Sequence, residues 1–480
     1  MEDMSTIFKT IWYYEWVTFN RNKTQVFLLG TVFLFGVYAI FCGKANIDTQ
    51  RETIAQLTAK ENAEFNGYQA SFQEELVSTE AKQLRDIASR PNFAWFRHGY
   101  HVIAAPTDFA NLSIGQRDLY RYYYRLTGMS LYYQLYQNEI ANPFYLLVGN
   151  LDLSFILIYI FPLLIIVFCY SMYSGEKDSG ILPLLRVQRA SILQILLVRL
   201  TFYFLLITGL ALSLSLIGFL VSENFLQGSN GYAALAWCAM TVGYCLFWFG
   251  LLFFIIAFRQ STSFNAIAAI GAWVLALIII PALLNAKIEH DYPLNSNELA
   301  GLTRRTGLED ETDAEESKEV ISEFLKYHPE YAKDSSVYNQ NLMSKAYAAF
   351  TFLKDLESKK VVHNYNESVQ ERSQWASNFS WANPAVTAQQ TFSRIAHTDL
   401  ANYIAFQTEI ADFHKTVQDF YFQRLFTDTT IKQEDYDNRP NFETYTEETN
   451  WYSIYVEIGI VALLGSIFFF KGVLILKQAR

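Results

Sequence analysis

Six long apolar runs mark the chain, at 24–42, 151–173, 200–221, 231–258, 263–284 and 451–476. Each approaches or exceeds the roughly 20 residues that a helix needs to cross a bilayer. Lipid offers no hydrogen-bond partner, so each run is predicted to be a helix that closes its own backbone bonds. The link 222–230 is short and polar, which makes the third and fourth runs antiparallel neighbours. Pro162 removes a backbone donor and is expected to kink the second run; Pro281 lies near the end of the fifth. In 1–23, Ile7, Phe8, Ile11, Trp12, Trp16 and Phe19 recur at helical spacing, with Lys9, Glu15, Asn20 and Arg21 over much of the remaining surface. That pattern fits an interfacial helix, with a buried aromatic helix end as the alternative. It does not fit a signal peptide.

Two polar stretches, 43–150 and 285–450, separate the runs. Residues 49–89 are rich in helix formers, and Pro91 ends the pattern. Residues 94–115 read as irregular and 116–140 as helical again, with many Tyr and Arg. Two long helices leaving and returning to the membrane would account for this stretch. In the second stretch, 309–319 is strongly acidic, 317–327 and 337–360 read as helices, and 381–386 is a turn. One long helical pattern covers 387–425, and 427–448 is a polar loop. The expected fold class is an all-α membrane protein, with six transmembrane helices and two mainly helical extracytoplasmic blocks.

Composition sharpens this picture. Hydrophobic residues make up 51% and aromatics 16%, a mixture of membrane and polar parts. The net charge of −10 resides in the second polar stretch and argues against nucleic-acid binding. Arg21, Lys23, Lys177, Arg186, Arg189, Arg199, Arg259, Lys471, Lys477 and Arg480 fall on one side of a six-span arrangement. That side is expected to be cytoplasmic, including 1–23, 174–199 and 477–480, with both blocks outside. The four cysteines lie in or at the ends of apolar runs, so the blocks have no disulfide framework or Cys-based zinc site. His98 and His101 are three apart, but Gly99 interrupts them and no third metal ligand is evident. No phosphate-binding loop, H-E-x-x-H or G-x-S-x-G motif is present. Asp152 and Glu457 are carboxylates at membrane level, candidates for function by default, with headgroup solvation as the alternative.

The stretch from Asn142 to Leu200 carries a further signal. Asn142-Pro143 precedes the second run, Pro162 lies inside it, and the charged turn Glu176-Lys177-Asp178-Ser179-Gly180 follows. Leu184, Leu185, Arg186 and Arg189 lead to the third run. This arrangement resembles the permeases of ABC exporters of the ABC-2 type, in a branch with large extracytoplasmic insertions after the first and fifth spans. The segment from Asn383-Pro384-Ala385 to His397-Thr398-Asp399 resembles the same branch. The sequence departs from the pattern at Pro183 and at Val187-Gln188.

The resemblance implies a permease subunit in a bacterial inner membrane that couples ATP hydrolysis on a separate ATPase subunit to substrate movement. ATP and Mg would be held by that partner, with no cofactor on this chain. Glu176, Lys177, Asp178, Gly180, Leu184, Leu185 and Arg186 would form the coupling segment. A second copy or a paralogue would complete the membrane part, surrounded by lipid. The apolar spans favour a lipidic or amphipathic cargo, or none. The alternative is a membrane-anchored binding or force-transmitting protein that does not itself transport. A self-contained receptor is disfavoured by the short cytoplasmic parts. An intramembrane enzyme is disfavoured because Asp152 and Glu457 alone supply no catalytic pair.

Overall fold

The computed structural model describes residues 2–73, 75, 77–136, 151–188, 190–222, 230–293, 301, 314–333, 335–338, 340–443 and 449–478. The chain is an all-α membrane protein, and among the described residues six helices are long and apolar enough to cross a bilayer. A 20-residue helix, α1 (Glu2–Arg21), leads into the first span, α2 (Lys23–Ala70). The other spans are α6 (Leu153–Asp178), α8 (Ile192–Val221), α9 (Asn230–Ala257), α10 (Thr262–Asp291) and α15 (Trp451–Gln478). Helices α6 and α9 form the centre of the bundle, while α10 and α15 run along its edge. Gly250 and Gly465 let α9 and α15 touch backbone to backbone, since a Cβ on Gly250 would lie 2.2 Å from the Gly465 carbonyl. Small residues allow such close approach where no hydrophobic effect drives helices together.

The polar stretches form one unit at one end of the bundle, here the block end; the opposite end, with α1 and residues 174–188, is the turn end. Helix α2 does not stop at Cys42 but continues without a break to Ala70. Helices α3 (Thr79–Ser89) and α4 (Pro91–Arg97) follow. The expectation of helix over 116–140 is corrected in part. Strand β2 (Tyr123–Leu126) pairs antiparallel with β1 (Tyr100–Ile103), which lies in a region read as irregular. Only α5 (Leu131–Tyr136) is helical in the later part of that span; 137–140 fall outside the described residues. The second stretch supplies α11 (Ala314–Tyr327), α12 (Leu342–Ser380), α13 (Pro384–Ile395) and α14 (Leu400–Phe426). The single helix expected over 387–425 is therefore two. His397 takes a left-handed φ of 54° at the break, and Asp399 occupies the N-cap position of α14.

Aromatic packing unites the two stretches into one core. His98 and His101 do not converge: the His98 Nδ1 lies 2.7 Å from the Tyr421 hydroxyl, whereas the His101 Nδ1 meets Glu61 at 3.0 Å. The Tyr100 and Tyr421 hydroxyls are also 2.7 Å apart. On α14, the His414 Nε2 donates to the Met129 carbonyl at 2.7 Å. Burial holds His98 down at about 3 and His414 at about 4, against an ordinary 6.5. Asp355 accepts from the Ser130 hydroxyl at 2.5 Å and the Leu131 amide at 2.7 Å, and burial raises it to about 6.

These shifts set a pH dependence. Below pH 6.5 the unfolded chain gains protons on both histidines that the folded chain refuses, so stability falls on acidification. Each histidine contributes a slope of about 1.4 kcal/mol per pH unit. Asp355 opposes one of them, because the folded chain keeps its proton between 3.8 and about 6. The thermal midpoint of the purified chain should drop from pH 7 to pH 5. In His414→Gln the two remaining groups nearly cancel below pH 6, so the drop should be much smaller. A native midpoint insensitive to pH in this window would contradict these assignments.

Candidate functional site

At the turn end, the charged residues singled out in the sequence brace the bundle. Arg199, in the first turns of α8, donates from Nη1 to Glu176 at 2.8 Å, and its Nε lies in an ion pair with Glu15 of α1 at 2.5 Å. Burial pushes the Glu15 carboxyl up, while Arg199 draws it back. Trp12 and Trp16 of α1 pack on Phe202 of α8, with ring centroids 5.2 and 6.3 Å away. Lys177 Nζ donates to the Arg259 carbonyl at 3.1 Å, and the Thr262 hydroxyl donates to Asp178 at 2.6 Å. Arg259 takes a left-handed φ of 58° between α9 and α10, and its Nη2 donates to the Leu476 carbonyl of α15 at 2.9 Å. Glu176, Lys177 and Asp178 thus tie α6 to α1, α8 and the α9–α10 turn.

Gly180, at φ +72°, then turns the chain into open space. The helix α7 (Leu182–Arg186) follows, with Pro183 in its first turn. N–H groups in the first turn have no intrahelical acceptor, so the missing one costs little there and the departure at Pro183 does not prevent the helix. Ile181, Leu184 and Val187 are 43%, 65% and 84% exposed, whereas Leu182 is buried against the bundle and Leu185 is half-buried. The side chain of Arg186 lies outside the described ones. Sequence reasoning found Leu184 but missed Ile181 and Val187, whose spacing of three about it on the short helix was the available signal.

At the block end, two prolines shape the spans. Each follows a π-helical turn, Ile156–Ile160 before Pro162 and Leu275–Ile279 before Pro281. In α10 the Ile280 N–H reaches back to the Leu275 carbonyl, and in this register Pro281 has no N–H for Ala276. The Asn383 side chain supplies one, with Nδ2 donating to the Ala276 carbonyl at 2.7 Å. In α6 the Tyr244 hydroxyl donates to the Ile158 carbonyl at 3.0 Å, and Trp273 Nε1 donates to the Tyr159 carbonyl at 3.1 Å. The kink expected at Pro162 is therefore a π turn whose carbonyls are paired by neighbouring spans.

Asn383 also caps α13, accepting from the Ala385 amide at 3.1 Å. Ala276 lies about 12 Å inward of Leu284 at the helical rise, so α13 is a wedge inside the bundle rather than part of the outer block. Its Ala385, Ala388, Phe392 and Ile395 belong to the same core as the spans. Phe392 meets Trp237 of α9 with centroids 4.2 Å apart. Glu457 of α15 forms an ion pair with Arg394 and accepts from the Thr391 hydroxyl at 2.7 Å. Arg394 also donates to the Ser453 hydroxyl at 3.2 Å. Glu457 is thus paired by protein groups.

Asp152 is likewise satisfied. It is 5% exposed and accepts from the Ile114 amide at 2.9 Å, the Ser154 hydroxyl at 2.7 Å and the Phe155 amide at 2.8 Å. It caps α6 and pins the segment 107–116 to that span. The same segment is held to the end of α13. Thr107 donates to the Ala396 carbonyl at 2.6 Å, Thr398 donates to the Ser113 carbonyl at 2.9 Å, and the Gln116 amide donates to the Thr398 carbonyl at 2.7 Å. Gly115, at φ +53°, is required there, since a Cβ would lie 2.5 Å from the Thr398 hydroxyl. Asp152 and Glu457 sit at separate contacts of one junction and share no partner among the described residues.

Residues 297–445 match the family model for a domain of unknown function, DUF3526. The match covers α11 to α14 and so includes Asn383, Thr391 and Arg394, while their partners Ala276 and Glu457 lie in spans outside it. No curated protein and no solved structure matches the chain.

The Asn383 contact yields a thermodynamic test. Asn383→Leu strands the Ala276 carbonyl, at a cost of about 1–3 kcal/mol, and removes a helix cap worth about 1 kcal/mol. Pro281→Ala supplies the missing N–H. In that background the carbonyl penalty should vanish and only the cap loss remain, as read by thermal unfolding of the four proteins of the cycle. Equal penalties in both backgrounds would show that Asn383 does not serve this carbonyl.

Proposed function

We propose that the chain is the membrane-spanning permease subunit of an ABC transporter of the ABC-2 type, working with an ATPase subunit supplied in trans. The observation that carries this reading is the apolar knob of Ile181, Leu184 and Val187 on a short helix joined to a charged brace. A protein that exposes a compact apolar cluster on a polar face has a binding surface there. Any partner that grips this knob pulls on Glu176, Lys177 and Asp178, and through them on α1, α8 and the α9–α10 turn. A partner whose closed and open states grip the knob differently biases the helices between two arrangements.

In this reading the turn end faces the cytoplasm of a bacterium, both termini lie inside, and the blocks face outward across the plasma membrane. ATP and Mg belong to the partner. A second copy or a paralogue completes the membrane part. The knob replaces the acidic residues as the principal ATPase contact, since Glu176 and Asp178 are engaged inside the chain.

A second reading is that the complex does mechanical work on the outer block without passing a substrate. The wedge α13 favours it, because the blocks are bonded to four spans rather than tethered by flexible linkers.

The test is affinity purification of the tagged chain from its native membrane in mild detergent, with Leu184→Asp and Val187→Asp beside it. Both positions are exposed, so the bundle should persist. Each apolar side chain lost from an interface is worth about 1.5–3 kcal/mol, so recovery of a stoichiometric ATPase should fall by about tenfold or more. Arg199→Met should retain the ATPase but weaken the coupling of its hydrolysis rate to the membrane subunit. Absence of any ATPase from the native preparation in several detergents would overturn the proposal.

A further inference from the structure

A cavity of about 640 Å³ opens where the blocks meet the spans. It falls within the roughly 300–1,000 Å³ typical of small-molecule sites. Its base includes Phe109, Ala233 from the first turn of α9 and Trp451 at the start of α15, all at the level where the spans leave the bilayer. Tyr120 and Tyr403 line one wall as a stacked pair with centroids 4.1 Å apart. The combination of an apolar base and aromatic walls at the membrane surface suits a molecule that is half in lipid.

The charges lining the cavity are unevenly matched. Asp108 is taken up by Arg51 at 3.5 Å and Asn230 at 2.9 Å, and Asp399 by Asn402. Arg117 instead donates to neutral acceptors, the Gln50 side chain at 3.1 Å and the Ala104 carbonyl at 2.8 Å, and stands 5.8 Å from the Tyr122 ring. Burial lowers its guanidinium only to about 10, so it remains a cation at neutral pH. A half-buried cation with neutral partners gains most from an anion, and a guanidinium suits phosphate or carboxylate oxygens. Arg121 lines the same cavity.

We infer that this cavity binds an amphiphile from the adjoining leaflet, with its anionic headgroup at Arg117 and its chain toward Trp451 and Ala233. The inference rests on the six spans and holds whether or not an ATPase couples to the chain.

The test uses the full chain in nanodiscs of zwitterionic lipid doped with equal amounts of lysophosphatidic acid and lysophosphatidylcholine of the same acyl chain. Native mass spectrometry reads which lysolipid the released protein keeps. The anionic species should be retained about tenfold over the zwitterionic one, the discrimination expected of one charge-assisted contact. Arg117→Gln should abolish the preference and Arg117→Lys should restore part of it. Ala105→Trp, which fills the cavity without touching a charge, should reduce retention of both. Monodisperse elution of each variant separates loss of binding from loss of fold. Equal retention of the two lysolipids by the native chain, or an unchanged preference in Arg117→Gln, would overturn the inference. Binding of inorganic phosphate as tight as that of the lysolipid would overturn the lipid assignment and make the ligand a soluble anion.

Discussion

A peptide carbonyl inside a bilayer has no water to bond, and an unpaired one is destabilising by about 1–3 kcal/mol. Pro281 creates that situation at Ala276, and the rest of the block end follows from its solution. The donor comes not from another span but from Asn383, at the tip of a helix that arrives from the outer block. To place that donor, α13 must enter the bundle. Once inside, its Arg394 needs an acid, which Glu457 of α15 provides, and its Phe392 fills the space beside Trp237. Short helical backbone at this depth is tolerated because it is buried in protein rather than exposed to lipid.

The two ends of the bundle are built on the same rule with different groups. At the turn end, Arg199 joins Glu15 and Glu176 and so fixes α1 and a turn to the third span. At the block end, Asp152 fixes 107–116 to the second span, and the hydroxyls of Thr107 and Thr398 extend the tie to the end of α13. Each charge is satisfied by contacts that reach another element, so each works as a clamp. The second span carries both clamps, with Asp152 at its start and Glu176 near its end. The second span thus links the turn end to the block end, as the proposed coupling requires.

The six spans were legible because length and hydropathy decide them; each expected apolar run lies on one helix, with 151–173 and 231–258 overrunning its ends by two residues and one. Their extents were less so: the first continues far past Cys42, because residues 43–70 also favour helix and contain no proline. The hairpin of Tyr100–Ile103 with Tyr123–Leu126 was not legible, since its strands are four residues long and their pairing spans an intervening loop. In the sequence, α13 reads as part of the second polar stretch, because PAVTAQQTFSRI is too short and too polar for a span. Its place depends on partners far away in sequence, Ala276 and Glu457, which no local pattern announces. The charged turn was visible as a motif, but its acids turned inward and the exposed apolar residues beside them became the salient surface.

The claim on which the rest depends is that α13 is locked inside the bundle, and cysteine accessibility tests it most directly. In a chain whose four native cysteines are replaced, Ala388→Cys lies on the buried face of α13 and Ser377→Cys on exposed α12 provides the control. A membrane-impermeant maleimide should label the control rapidly and leave position 388 unlabelled. Adding Arg394→Met and Asn383→Leu should expose it. Labelling of position 388 at the rate of the control in the otherwise native chain would show that α13 lies outside the bundle, and the account of the block end would fail.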